Sequence, residues 1–200
     1  RKTGTGLFAS PFAESGAFFK TDPALDRPDI QLHFVVGIVD DHNRKMHMPY
    51  GYSCHVCVLR PHSRGTVTLR SADPAKPPKI DPKFLEDERD FQVMKKAIKT
   101  LDSIMEDSAL EAWRGARYYK HDGSDAAWEA DIRARADTIY HPVGTCKMGT
   151  DDKAVVDNQC RVYGVEGLRV VDASVMPRPI GGTTNAPTTM HGRKNGTKNN

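Results

Sequence analysis

Ile139-Tyr140-His141-Pro142-Val143-Gly144-Thr145-Cys146-Lys147-Met148-Gly149 and, further on, Gly167-Leu168-Arg169-Val170-Val171-Asp172-Ala173 are the stretches that decide the fold of this 200-residue chain. The second is almost uninterrupted apolar sequence, entered by a glycine and closed by a carboxylate. It reads as a strand buried on both faces, of the kind that ends at a ligand crevice in a parallel sheet. In the first, Pro142 drives His141 toward extended backbone, and Gly144 offers a tight turn on the other side. Histidine is the side chain whose ordinary pKa best suits proton abstraction near neutrality. Downstream, Gly181-Gly182-Thr183-Thr184-Asn185-Ala186-Pro187-Thr188 reads as a flexible turn into a helix, with Asn185 as the expected cap and Pro187 and Thr188 in the first turn. On the residues alone, His141 and Asn185 have two readings. They are a base and an amide that holds a developing alkoxide beside helix N–H donors, or a backbone-bonded histidine and an asparagine that only caps.

Working back from that region, Val155-Val156-Asp157-Asn158 and Arg161-Val162-Tyr163-Gly164 read as a short strand and turn. Ile30 to Val36 alternates and then turns continuously apolar, as a half-buried strand does. Tyr52 to Leu59 is a second strand and Thr66 to Arg70 a third. The short turn Arg60-Pro61-His62-Ser63-Arg64-Gly65 between these two favours an antiparallel hairpin. Residues 1–29, rich in Gly, Ser, Pro and Asp, read as loop and turn around Phe18-Phe19. After a proline-rich connector, Phe91, Met94, Ala97-Ile98, Leu101 and Met105 recur at threes and fours, which predicts a helix over 86–106. Ser124 caps a second helix, whose face is Trp128, Ile132 and Ala136. After Met190 the sequence is polar and glycine-containing, and the helix begun at Asn185 is expected to dissolve into a tail.

Composition excludes several classes. With 38% hydrophobic and 28% charged residues the chain is ordinary globular material. The formal net charge of +3 comes without a basic run interleaved with aromatics, so nucleic acid is not an expected partner. Apolar stretches are too short to span a bilayer, and Arg1-Lys2-Thr3-Gly4 lacks a signal-peptide core. Cys54-His55-Val56-Cys57 has CxxC spacing, but on a strand the two thiols point to opposite faces and no histidine cluster completes a metal site; buried free thiols are expected, along with Cys146 and Cys160. Gly4-Thr5-Gly6 imitates a dinucleotide fingerprint, but no buried strand precedes it to deliver pyrophosphate to a helix. His42, His47 and His55 read as structural or solvated.

The two opening stretches, with Val155-Val156-Asp157, Gly164-Val165-Glu166-Gly167, Ser174-Val175-Met176-Pro177 and Asn185-Ala186-Pro187-Thr188, resemble the carboxy-terminal part of the glucose–methanol–choline oxidoreductases, flavoproteins that oxidise alcohols. Arg60 to Leu69 and Ile80-Asp81-Pro82 extend the likeness to the choline dehydrogenase-like branch. The resemblance implies an α+β fold: an antiparallel sheet packed with helices over 1–137 as the substrate-binding part, then 138–190 as the catalytic, FAD-contacting segment whose strands and helix start complete an FAD-binding α/β sheet, and 191–200 as a polar tail. It implies FAD as cofactor and a small alcohol as substrate. His141 is similar to the family's catalytic base and Asn185 to its partner. Asp172 and Ala173 resemble contacts near the ribityl–pyrophosphate stretch, and Pro187 and Thr188 the helix start beside the flavin pyrimidine. Two departures stand out: Thr183 occupies a usual asparagine position, and the polar tail replaces an amphipathic continuation of the last helix. The glycine-rich amino-terminal element has no counterpart here, so the chain reads as a fragment whose partner is the missing FAD-binding half. Oxygen or a quinone is the expected electron acceptor, and the cytoplasm, with or without membrane association, the expected location. The competing reading is a non-catalytic remnant or protein-binding module.

Overall fold

The computed structural model describes residue 4, residues 9–45, residue 47 and residues 50–196. Most of the Gly4-Thr5-Gly6 stretch therefore lies outside the described residues. Contacts divide the chain into two compact units: residues 1–58 with 87–136, and residues 59–86 with 137–200.

The first unit is a three-stranded antiparallel sheet, in the order β1 (Ala13–Phe19), β2 (Ile30–Val35), β3 (Ser53–Val58), backed by α1 (Glu88–Met105) and α2 (Asp125–Arg135). Leu32 pairs with Val56 and Phe34 with Cys54 across β2 and β3. Side chains alternate along a strand, so this register sends one set toward the helices. Ile30 and Leu32 meet Ala97 and Leu101 of α1 there, with Phe19, Cys54, Val56, Val58, Val93, Ile98 and Met105 around them. The helix periodicity at 91–105 is what makes that face continuous. Asp87 starts α1 by accepting from Arg89 N at 3.0 Å, and Ser124 Oγ starts α2 by accepting from Ala127 N at 3.2 Å.

β1 corrects the expectation of loop over residues 1–29. Its residues are exposed up to Phe18, so it carries no apolar alternation to read; it holds its place through backbone pairing with β2. Gly16 is required by that pairing, because a Cβ there would sit 2.5 Å from Leu32 O. The expected hairpin of the second and third strands is also corrected. β3 pairs with β2, and β4 (Thr66–Thr68) pairs instead with β5 (Lys79–Asp81). The chain changes compact units between Val58 and Leu59, which separates β3 from β4.

Lys95 and Lys99 of α1 reach Asp125 at the start of α2, at 2.9 and 2.5 Å. Hydrogen bonds from Lys99 and then Lys95 hold the Asp125 carboxyl down, from 3.8 to about 2. The folded value lies below the unfolded one, so the stabilisation is present above the ordinary carboxylate pKa and is lost as pH falls from there through about 2. An NMR titration of Asp125 is expected to show a midpoint near 2 in the native chain and a return toward the ordinary carboxylate range in the Lys95→Met/Lys99→Met variant.

In the second unit Val156, Cys160 and Val175 are fully buried, with Met148, Val155, Val162, Val170 and Val171 packed on them. The expected two-faced strand at 167–173 does not form. The segment is extended chain joined by one antiparallel bridge, Arg161 to Arg169, and by Val170 N donating to Cys160 O at 3.1 Å. Its apolar run is explained by Val170 and Val171 lining this small core from irregular backbone. α3 spans Asn185–Gly196 and so continues past the point where a tail was expected. Asn195 accounts for the difference: it is buried, and its Nδ2 donates to His191 O at 3.0 Å and to Cys160 Sγ at 3.4 Å.

Candidate active site

The expected site residues all fall in the second unit. His141 sits on a loop that enters with Tyr140 at φ +64°, left-handed backbone that costs a non-glycine residue roughly 1–3 kcal/mol. Thr138 Oγ1 holds that turn by accepting from Tyr140 N at 3.0 Å. The His141 ring is half-buried and its Nδ1 lies 2.6 Å from Ile139 O. A carbonyl only accepts, so Nδ1 carries the hydrogen and donates, and Nε2 is left with the lone pair. The local fold thus selects the tautomer that a proton acceptor needs.

Beyond Pro142 the loop is sewn to the turn that carries Asp172 and Ala173. Gly144 N and Cys146 N both donate to Ser174 O, at 3.0 and 3.1 Å, and Met148 N donates to Val175 O at 2.9 Å. Gly144 has φ +91°, left-handed backbone that favours glycine, while a Cβ there would meet Met176 O only at an ordinary contact distance of 3.5 Å. The turn itself is a short 3₁₀ segment, Ala173–Val175. Asp172 Oδ1 starts it by accepting from Ser174 N at 2.8 Å and, at shorter range, from Ser174 Oγ. Val175 and Met176 anchor it in the core, which leaves Asp172 exposed and Ala173 half-buried. The Asp172 Oδ2 atom accepts no hydrogen bond from the described residues.

Asn185 is not the cap expected. Thr184 takes that place: its carbonyl accepts from Thr188 N at 3.1 Å and from Thr188 Oγ1 at 2.7 Å. Asn185 is the first helical residue, exposed, with Thr189 Oγ1 donating to its carbonyl at 3.1 Å and to its Oδ1 at 3.4 Å. Pro187 falls in the first turn, where an N–H has no helical acceptor in any case. The structure therefore joins His141 to the Asp172–Ala173 turn through backbone bonds. It sets Asn185, Pro187 and Thr188 at the start of α3 in the same unit, with no hydrogen bond between them and His141 or Asp172 among the described residues. Ser174 and Thr184 were missed. Asp172-Ala173-Ser174 has the spacing of an aspartate-initiated turn, a signal that was there to read; the carbonyls that do the joining leave no trace in side-chain chemistry.

Among the described residues no three His, Cys, Asp or Glu side chains are grouped to hold a metal ion. The first turn of α3 offers backbone N–H groups and the positive end of a helix dipole to an electron-rich ring, and the open Asp172 oxygen suits hydroxyl groups.

The sequence profile of the GMC oxidoreductases matches residues 61–192. The chain belongs to the GMC oxidoreductase family and carries its carboxy-terminal domain. An alcohol dehydrogenase [acceptor] of Pseudomonas putida is 45% identical over 192 residues, covering 92% of this chain and 34% of that protein. The mitochondrial choline dehydrogenase of Homo sapiens is 43% identical, covering 95% of this chain and 33% of its own. In three dimensions the crystal structure of pyridoxine 4-oxidase from Mesorbium loti overlays with a TM-score of 0.84 at 29% identity, covering 94% of this chain and 38% of that one. The chain thus spans about a third of the length of the curated relatives it matches. This GMC carboxy-terminal domain has the expected α+β character, with antiparallel sheets and helices.

Proposed function

We propose that this chain supplies the proton-accepting and substrate-side part of an FAD-dependent oxidoreductase that converts a CH–OH group to a carbonyl. The observation that carries the reading is the His141 loop: Nδ1 is committed to Ile139 O, Nε2 is left basic, and three backbone bonds fix the loop on the Asp172 turn. Identity above 40% to an alcohol dehydrogenase and a choline dehydrogenase over nearly the whole chain supports the substrate class. FAD, when bound, supplies the acceptor for the hydride from the substrate carbon. His141 Nε2 takes the hydroxyl proton, and the Asn185 amide orients the hydroxyl and donates to the oxygen as its charge grows. Asp172, with Ala173 beside it, accepts from hydroxyls of the cofactor's sugar-like chain, while Pro187 and Thr188 shape the start of α3 against the ring. The partner that supplies the rest of the cofactor site is the amino-terminal FAD-binding part of the family fold, and the electrons leave to oxygen or a quinone.

The test is an FAD titration followed by flavin fluorescence. It uses a chimera in which this chain replaces the matched third of the Pseudomonas putida relative. Saturable binding is expected, weakened about tenfold or more by Asp172→Ala, the scale of losing one hydrogen bond to a charged group. A chimera that binds no flavin sinks the reading. An unchanged affinity in the Asp172 variant removes that residue from the site.

A further inference from the structure

Residues 64–80 are all exposed and form the greater part of the β4–β5 ribbon. Val67 lies directly opposite Ile80, with Thr66 opposite Asp81 and Thr68 opposite Lys79. Alternation then gives the ribbon two unlike faces. Thr66, Thr68, Lys79 and Asp81 make one. Val67, Leu69, Pro78 and Ile80 make the other, and three of these are 48%, 87% and 66% exposed at Val67, Leu69 and Ile80. The ribbon is specifically closed: a Cβ at Gly65 would lie 2.3 Å from Asp81 O and 2.7 Å from Pro82 Cα, so only glycine lets the strands approach. A two-stranded ribbon is at best marginally stable alone in water, and an apolar face of this kind marks an interaction site.

Two observations choose the occupant. The ribbon lies within the region matched by the family profile, and the whole chain aligns with only 34% of the alcohol dehydrogenase relative, which leaves about two thirds of that family member outside the aligned part. The ribbon and its border carry four basic residues, Arg64, Arg70, Lys76 and Lys79, against two acidic ones, Asp73 and Asp81. A second copy seated face to face would bring like charges together, whereas a different polypeptide with acidic groups would complement them. We propose that the Val67-Leu69-Pro78-Ile80 face is the docking surface for the amino-terminal FAD-binding polypeptide of the family fold. This rests on the function proposed above and deepens it by assigning the surface through which that partner is held.

The experiment compares Val67→Glu/Ile80→Glu in the full 200-residue chain and in the chimera described above. In the chain alone both side chains face water and the two carboxylates oppose each other only across an exposed pair, so the circular dichroism spectrum is expected to stay the same and Tm to fall by no more than about 2 °C. In the chimera the same pair buries two carboxylates, and Tm is expected to fall by about 3 °C or more. Equal effects in both proteins, or none in the chimera, overturn the proposal, as does a chimera that fails to hold together with the native ribbon. Sedimentation velocity and vesicle flotation cover the other occupants. A concentration-dependent dimer of the chain that the glutamates abolish assigns the face to a second copy. Binding to phosphatidylserine-containing vesicles that they abolish assigns it to a membrane. Either result overturns the proposal. Tm needs no flavin chemistry, so a chimera that melts as expected but fails the FAD titration refutes the cofactor reading and leaves the docking surface standing.

Discussion

His141→Gln in the FAD-loaded chimera is expected to lower kcat by about 10²–10⁴-fold, the range for removing a positioned general base. KM is expected to change little. Glutamine keeps much of the volume and an N–H for Ile139 O, the group that Nδ1 now serves at 2.6 Å, but it has no basic lone pair to replace Nε2. Two readouts separate lost base from lost structure. The limb of the kcat/KM profile that reports a free base at low pH should vanish in the variant, and FAD affinity should stay within about twofold, because the carbonyl of Ser174 still holds Gly144 and Cys146. A variant with native kcat assigns the proton elsewhere. A variant that loses flavin as well as rate makes His141 a structural residue of the loop.

What could be read from the sequence followed how each feature is held. α1 was legible because Phe91, Ala97 and Leu101 are buried at helical spacing, and β2 and β3 because one face of each packs on that helix. β1 was illegible because its contribution is backbone pairing, with side chains in water. The run at 167–173 misled for the opposite reason: its valines are apolar because they close a small core around Val156, Cys160 and Val175, and periodicity cannot tell irregular buried chain from strand. Within the site, His141 and Asp172 were visible as residue types in a tight context. The bonds that place them together run through the carbonyl of Ser174, which any residue supplies. Asn185 shows the same limit at finer scale, since Thr183-Thr184-Asn185 offers several capping side chains, and only the Thr188 bonds to Thr184 fix which residue begins the helix.

The largest expected effect on stability is Phe91→Ala. Phe91 is 2% exposed, and the Arg133 guanidinium of α2 lies 4.5 Å from the centre of its ring. Removing it deletes core volume and leaves Arg133 without its aromatic partner, at a cost of about 3–5 kcal/mol. Set against the 5–15 kcal/mol typical of whole proteins, that is enough to open the first unit in a measurable fraction of molecules. Hydrogen exchange resolves where the loss falls. Amides of α1 and α2 should lose about two to four decades of protection, the same free energy expressed as an opening equilibrium. The amides of Gly144, Cys146 and Met148, bonded within the second unit, serve as the internal reference. If they keep their protection while the helices lose it, the two units open separately and the His141 loop does not depend on the α1–α2 core for its shape. If they lose it in parallel, the chain unfolds as one cooperative body, and substitutions far from His141 are then expected to reach the site through global stability alone.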